Sequence, residues 1–199
     1  MKSALTHLIA VAVSGLTLAG CTSGTSTSAS TSMPMSHQNS SLLVASTDCG
    51  PYIKANPFAK VTMTKDYVMV AGIGPNEPMY TSKQITLQHP TSGELMISGM
   101  MHAMGSMDMT AKTVMSHVEV HICSKATGRA VTGARPLLTL IKDGTSPMMT
   151  EIMVAEMTGL NGNLSDTHYG NNVSMVRGSD YSLRVTLHGQ KTTLALRRP

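Results

Sequence analysis

Thr113-Val114-Met115-Ser116-His117-Val118-Glu119-Val120-His121-Ile122-Cys123 carries two kinds of side chain in alternation. In an extended strand, successive residues face opposite sides. Val114, Ser116, Val118, Val120 and Ile122 make one face, mostly apolar and suited to a core. Met115, His117, Glu119, His121 and Cys123 make the other, and each of them is a donor for a transition metal. A His-x-Glu on a strand places two donors on one side about 7 Å apart. They converge on one ion when a third group approaches from another strand. The competing reading of that face is a solvated polar surface.

Outward from this stretch, short β-type segments recur: Lys60–Met63, Tyr67–Ala71, Gln84–Gln88, Leu95–Met100, Arg135–Lys142, Glu151–Ala155, Asn172–Met175, Tyr181–Leu187 and Thr192–Leu196. Turn-forming residues separate them at Gly72-Ile73-Gly74-Pro75-Asn76, Thr91-Ser92-Gly93, Thr127-Gly128, Asp143-Gly144 and Arg177-Gly178-Ser179-Asp180. No long helical periodicity is present. The pattern predicts an all-β sandwich or barrel.

The N-terminal region reads differently. Met1-Lys2-Ser3 is followed by an apolar run from Leu5 to Leu18, interrupted by Ser14, Gly15 and Thr17. It is shorter than the ~20 apolar residues that span a bilayer and fits a secretory signal over residues 1–20. Leu18-Ala19-Gly20-Cys21 resembles the bacterial lipoprotein cleavage box, which implies lipidation of Cys21 and anchoring on the outer side of a membrane. Residues 21–41, mostly Ser and Thr after Cys21, bury too little to order and read as a flexible, disordered tether. Residues 42–199 suit one folded domain.

The formal net charge of +4 and the lack of a basic patch interleaved with aromatics argue against nucleic-acid binding. The chain has 18 Met, one Phe and no Trp. Methionine is an adaptable core filler. Yet Met100, Met101, His102, Met104, Met107 and Met109 crowd a Gly-bearing stretch, 99–109, that lacks core periodicity. Thioethers with His outside the cytoplasm form a soft-donor array favouring Cu(I), with imidazole accepting Cu(II). With Cys21 lipidated, Cys49 and Cys123 remain. An even pair in an oxidising compartment predicts a disulfide, and two free copper-ligating thiols are the alternative.

Asp166-Thr167-His168-Tyr169-Gly170-Asn171-Asn172-Val173, leading to the Tyr181–Leu187 segment, resembles the periplasmic accessory proteins of high-affinity iron transport, with which the treponemal metal-binding lipoprotein belongs. The resemblance covers roughly residues 115–187. It implies an Ig-like antiparallel β-sandwich, a homodimer, copper binding and work beside an iron permease. His117-Val118-Glu119 answers to that family's His-x-Glu, Met157 to its ligand Met, with Met153 as rival, and His168 to its His. His188 is the one candidate for a further C-terminal His. Asp166 or Asn171 would orient the histidines. The metal ligands so implied are His117, Glu119, Met157 and His168, with His121 and the 101–109 donors as extensions. Copper is the expected metal, and iron the alternative.

No Gly-x-Ser-x-Gly, nucleotide loop or telling carboxylate pair is present, so an enzyme is not expected. The leading expectation is an envelope-anchored metal-binding lipoprotein for uptake or detoxification. The alternative is a structural or adhesive Ig-like lipoprotein.

Overall fold

The computed structural model describes residues 43–100, 113–144 and 147–197. Cys21, Met101, His102, Met104, Met107 and Met109, and the signal and tether, lie outside the described residues.

Seven strands form one sheet in the order β1 (Lys60–Met63), β2 (Tyr67–Pro75), β5 (Thr113–Ser124), β9 (His168–Val176), β8 (Ala155–Gly159), β4 (Glu94–Ser98) and β3 (Met79–Tyr80). Four form a second: β11 (Gln190–Arg197), β10 (Asp180–Leu187), β6 (Leu137–Lys142) and β7 (Met148–Ile152). Neighbouring strands run antiparallel except β3 and β4, which are parallel. The protein is an all-β sandwich. Val118, Val120 and Ile122 of β5 and Tyr169, Val173 and Met175 of β9 share the core with Leu138 and Leu140 of β6 and Leu183 and Val185 of β10. Each such side chain contributes about 1.5–3 kcal/mol when fully buried. Alternation on β5 therefore decides which face meets the second sheet.

The opposite face of β5 is also covered. Cys49 and Cys123 form a disulfide with their Cα atoms 6.1 Å apart. It holds the N-terminal segment, including helix α1 (Gly50–Ala55), across that face. Val44 and Cys49 pack there against Val68, Val70 and Cys123, with Tyr52 and Ile53 beside them. The face of β5 that carries His117, His121 and Cys123 is thus largely interior and not the solvated surface of the competing reading.

Three local expectations are corrected. Gln84–Gln88 is part of helix α2 (Ser82–Gln88) rather than a strand. Thr81 accepts from the Gln84 N–H while the Gln84 side chain accepts from the Thr81 N–H, a reciprocal cap that starts a helix. The Gly72–Asn76 stretch is not a break, since β2 runs through Gly72 and Gly74 to Pro75. The expected strand Glu151–Ala155 straddles two, β7 and β8, with Met153 and Val154 between them.

The large sheet must curl. β2 and β3 stand five strand spacings apart in it, about 24 Å if flat. Only Asn76, Glu77 and Pro78 connect them, a reach of about 14 Å at most. The curl brings β4 round towards β5. The connecting strap is fixed to β9, because the Asn172 side chain donates to Glu77 O and accepts from Glu77 N.

The disulfide closes a loop of 74 residues of separation. Replacing both cysteines with alanine is expected to lower stability by about 4 kcal/mol, the loop-closure contribution for that length. Urea unfolding of the double variant checks this, and an unchanged midpoint would contradict it.

Candidate metal centre

Cross-strand pairing sets out the donors in rows on the covered face of the large sheet. His117 pairs with Gly74 and Asn172, and Glu119 with Gly72 and Gly170. His121 pairs with Val70 and His168, His168 with Met157, and Met157 with Met96. Paired residues share a face, so these side chains project together. Glu119 thus sits between two glycines. A Cβ on Gly72 would lie 2.1 Å from the Tyr52 hydroxyl, and one on Gly170 would lie 2.0 Å from Val118 O. The first glycine makes room for Tyr52, and the second lets β5 and β9 approach closely.

Among the described residues, Glu94, His117, Glu119 and His168 each bring a ligand atom within 4.8 Å of the others. Glu94 Oε1 lies 3.0 Å from His168 Nε2, and Glu94 Oε2 lies 3.7 Å from His117 Nε2. Glu119 Oε2 is 3.8 Å from His168 Nε2 and 3.3 Å from His121 Nε2. Donors about 2.1 Å from one ion stand at most about 4 Å apart, so this spacing suits a shared metal. His121, Asp166 and His168 form a second such group.

Hydrogen bonding fixes how the imidazoles face. His168 Nδ1 lies 2.9 Å from Asp166 O, which can only accept, so Nδ1 carries hydrogen. His117 Nδ1 lies 3.2 Å from Asn172 Oδ1. The Asn172 amide is pinned by Glu77 with its oxygen as acceptor, so this Nδ1 also carries hydrogen. Both Nε2 atoms are left facing the cluster. They and Glu94 Oε2 are buried without a hydrogen-bond partner, and the Glu94 contact lies out of line for one. Buried polar atoms are normally paired. Histidines whose other nitrogen is held by a carbonyl or amide are the usual arrangement of metal ligands. These residues can hold a metal ion.

The charges are coupled. Burial alone would push the His168 imidazole down, but its contact with Glu94 and the Glu119 and Glu94 charges hold it up at about 9. Burial likewise opposes ionisation of Glu119, yet the His121 contact and the charges of His168, His121 and His117 hold it down at about 2. Tyr52 stacks on His121 with ring centroids 4.1 Å apart. Burial and the nearby Glu119 charge push its phenol pKa up, while Asn56 donates to its oxygen at 2.8 Å.

The structure thus brings together His117, Glu119, His168 and His121 of the residues expected from sequence. Met157 is fully buried beside His168 in the ladder and packs with Met79, Ala155 and Met96. Its rival Met153 is half-exposed, with its carbonyl taken by Asn171. Asn171 shares the Val118 face, so Asn172, not Asn171, orients a histidine. Asp166 does so through its backbone oxygen. His188 pairs with Tyr67 at 2.8 Å. Glu94 escaped sequence reading. It follows Thr91-Ser92-Gly93 like any surface acid, and only the curl of the sheet brings it to the cluster.

Stability should follow pH accordingly. His168 is raised from 6.5 to about 9, so its contribution is full below about 6.5 and lost as pH rises through 9. Glu119 is lowered from 4.5 to about 2, so its contribution is present above about 4.5 and lost as pH falls through 2. Chelator-treated protein is expected to melt highest between about pH 4.5 and 6.5. His168→Gln should show a shallower alkaline decline in thermal melts. Parallel declines in the two proteins would count against the assignment.

The chain matches no known protein family, no curated protein and no solved structure, so its site is read from its own residues.

Proposed function

We propose that this protein is an exported lipoprotein, anchored through Cys21, that holds a transition-metal cation at the cell envelope for uptake or detoxification. The observation that carries this reading is the convergence of Glu94 Oε2, His117 Nε2 and His168 Nε2, all buried and without a hydrogen bond, on one point. Ion pairing among Glu94, Glu119, His168 and His121 accounts for their charges but leaves these three atoms without hydrogen bonds.

Two imidazoles with two carboxylates form a donor set of borderline hardness. Imidazole suits zinc, copper, iron and nickel, and carboxylate admits manganese. Copper(II) tops the divalent affinity series, which makes copper the first choice here and iron the second. Met157 next to His168 offers a thioether that would favour Cu(I). The role of these groups is to bind and retain the ion, and no catalytic step is assigned to them.

Titrating the purified full chain with Cu(II), Fe(II) and Zn(II) tests this. Near one ion per chain is expected, and His117→Ala and His168→Ala should abolish tight binding while circular dichroism shows the fold retained. Asn172→Ala should weaken binding about 10–100-fold, because it frees the ring of a ligand. Equal binding by wild type and histidine variants would remove the site.

The anchor has its own test. Labelled palmitate should enter wild type expressed in a bacterium and be lost in Cys21→Ser. Label retained in that variant would overturn the lipidation.

A further inference from the structure

The buried cluster needs an approach, and most sides of it are closed. Tyr52 lies over His121 and Glu119, held down by the disulfide-tied N-terminal segment. The Asn76–Pro78 strap is fastened over Asn172, next to His117. A cavity of about 580 Å³ lies elsewhere, lined by Thr47, Asp48, Gly93, Asn161, Asn163 and Asp166 among others. None of Glu94, His117, Glu119, His121 and His168 lines it, but two of its wall residues adjoin them. Gly93 directly precedes Glu94, and Asp166 brings a donor within 4.8 Å of donors on His121 and His168.

We propose that a hydrated divalent transition-metal cation enters through this cavity, and that Asp166 and His121 form an outer holding position from which it passes to His168 and the buried cluster. This rests on the metal-binding reading above and adds a route and a second site to it.

Asp166 and Asp48 are the two carboxylates of the cavity wall. Asp48 is committed, accepting from Ala130 N at 2.9 Å and lying 3.8 Å from Arg129 Nε. The exposed Asp166 carboxylate has no hydrogen bond or ion pair among the described residues. Gly159 leaves it room, since a Cβ there would stand 3.3 Å from Asp166 Oδ2. The Asp166 backbone oxygen already positions His168 at 2.9 Å, so carboxylate and imidazole are fixed to each other by the chain itself.

His168 belongs to both ligand groups, so the transfer from outer to inner position is short. The volumes agree with a two-stage entry. Six waters around an ion occupy roughly 180 Å³ at about 30 Å³ each, which the cavity admits. The imidazoles of His117, His168 and His121, only 1–3% exposed, have no such room. Water must be shed at the outer position, where a carboxylate replaces it. The free Asp166 carboxylate in the wall also favours a free cation over an anionic metal chelate.

Stopped-flow binding of Co(II) and Cu(II) to the full chain tests the route with Asp166→Asn and, independently, Thr91→Trp, which places bulk at the exposed rim of the cavity. Association and dissociation should both slow at least 10-fold in each variant, with Kd within about threefold of wild type, because the inner ligands are untouched. Association at the wild-type rate in both variants would falsify the entry route. A Kd weakened more than 10-fold by Asp166→Asn at unchanged association rate would overturn the holding role and make Asp166 a ligand of the resident ion. Failure of wild type to bind either metal would instead remove the metal-binding reading, and the route with it.

Discussion

Glu119 is a carboxylate kept ionised inside a protein, and much of the surrounding structure follows from that demand. A buried charge costs several kcal/mol unless opposite charge and hydrogen bonds surround it. His121 at 3.3 Å and His168 at 3.8 Å supply the first. Tyr52 closes over it from above, stacked on His121. For Tyr52 to reach it, the residue beside Glu119 on β2 must lack a side chain, and Gly72 does. For β9 to come close enough to bring His168, the residue on its other side must also lack one, and Gly170 does. One charge therefore accounts for two glycines inside strands, where glycine otherwise weakens pairing.

The same charge explains why the large sheet needs a cover on its outer face. A sandwich of two sheets satisfies the Val118 face but would leave the His117 face in water, where the ion pairs would be weak. The N-terminal segment lowers the local dielectric, and the disulfide keeps it there. The strap from β2 to β3 acts at the other end, fixing Asn172 and through it His117. Donor geometry, glycine placement, disulfide and strap are thus parts of one arrangement.

Sequence revealed some of this and hid the rest for identifiable reasons. The alternation on Thr113–Cys123 is a local property, so both faces of β5 were legible, as was the all-β class. His117, Glu119 and His168 were visible because strand alternation and the His168-Tyr169-Gly170-Asn171-Asn172 stretch mark them. Glu94 was not, because its role depends on sheet curvature, which arises from a strand order no local pattern encodes. Gly72 and Gly74 misled, since glycine signals a turn when local and a close approach when tertiary. Gln84–Gln88 misled because apolar spacing outweighed the Thr81-Ser82-Lys83-Gln84 cap, which is in the sequence. His168-Tyr169-Gly170 has the composition of a turn but forms strand β9, held between β5 and β8.

The donors of the cluster are not held with equal firmness. His117 and Glu119 ride on a twelve-residue strand bonded on both sides at the centre of the sheet. Glu94 begins a five-residue strand near the edge, whose outer neighbour is two residues long and whose register shifts between Met96 and Ser98. Peripheral segments with few buried contacts open locally while the centre stays closed. In hydrogen exchange, β4 would lose protection long before β5. The cluster is therefore built like a jaw with one fixed side and one hinged side, and fraying of the edge exposes it without unfolding the sandwich.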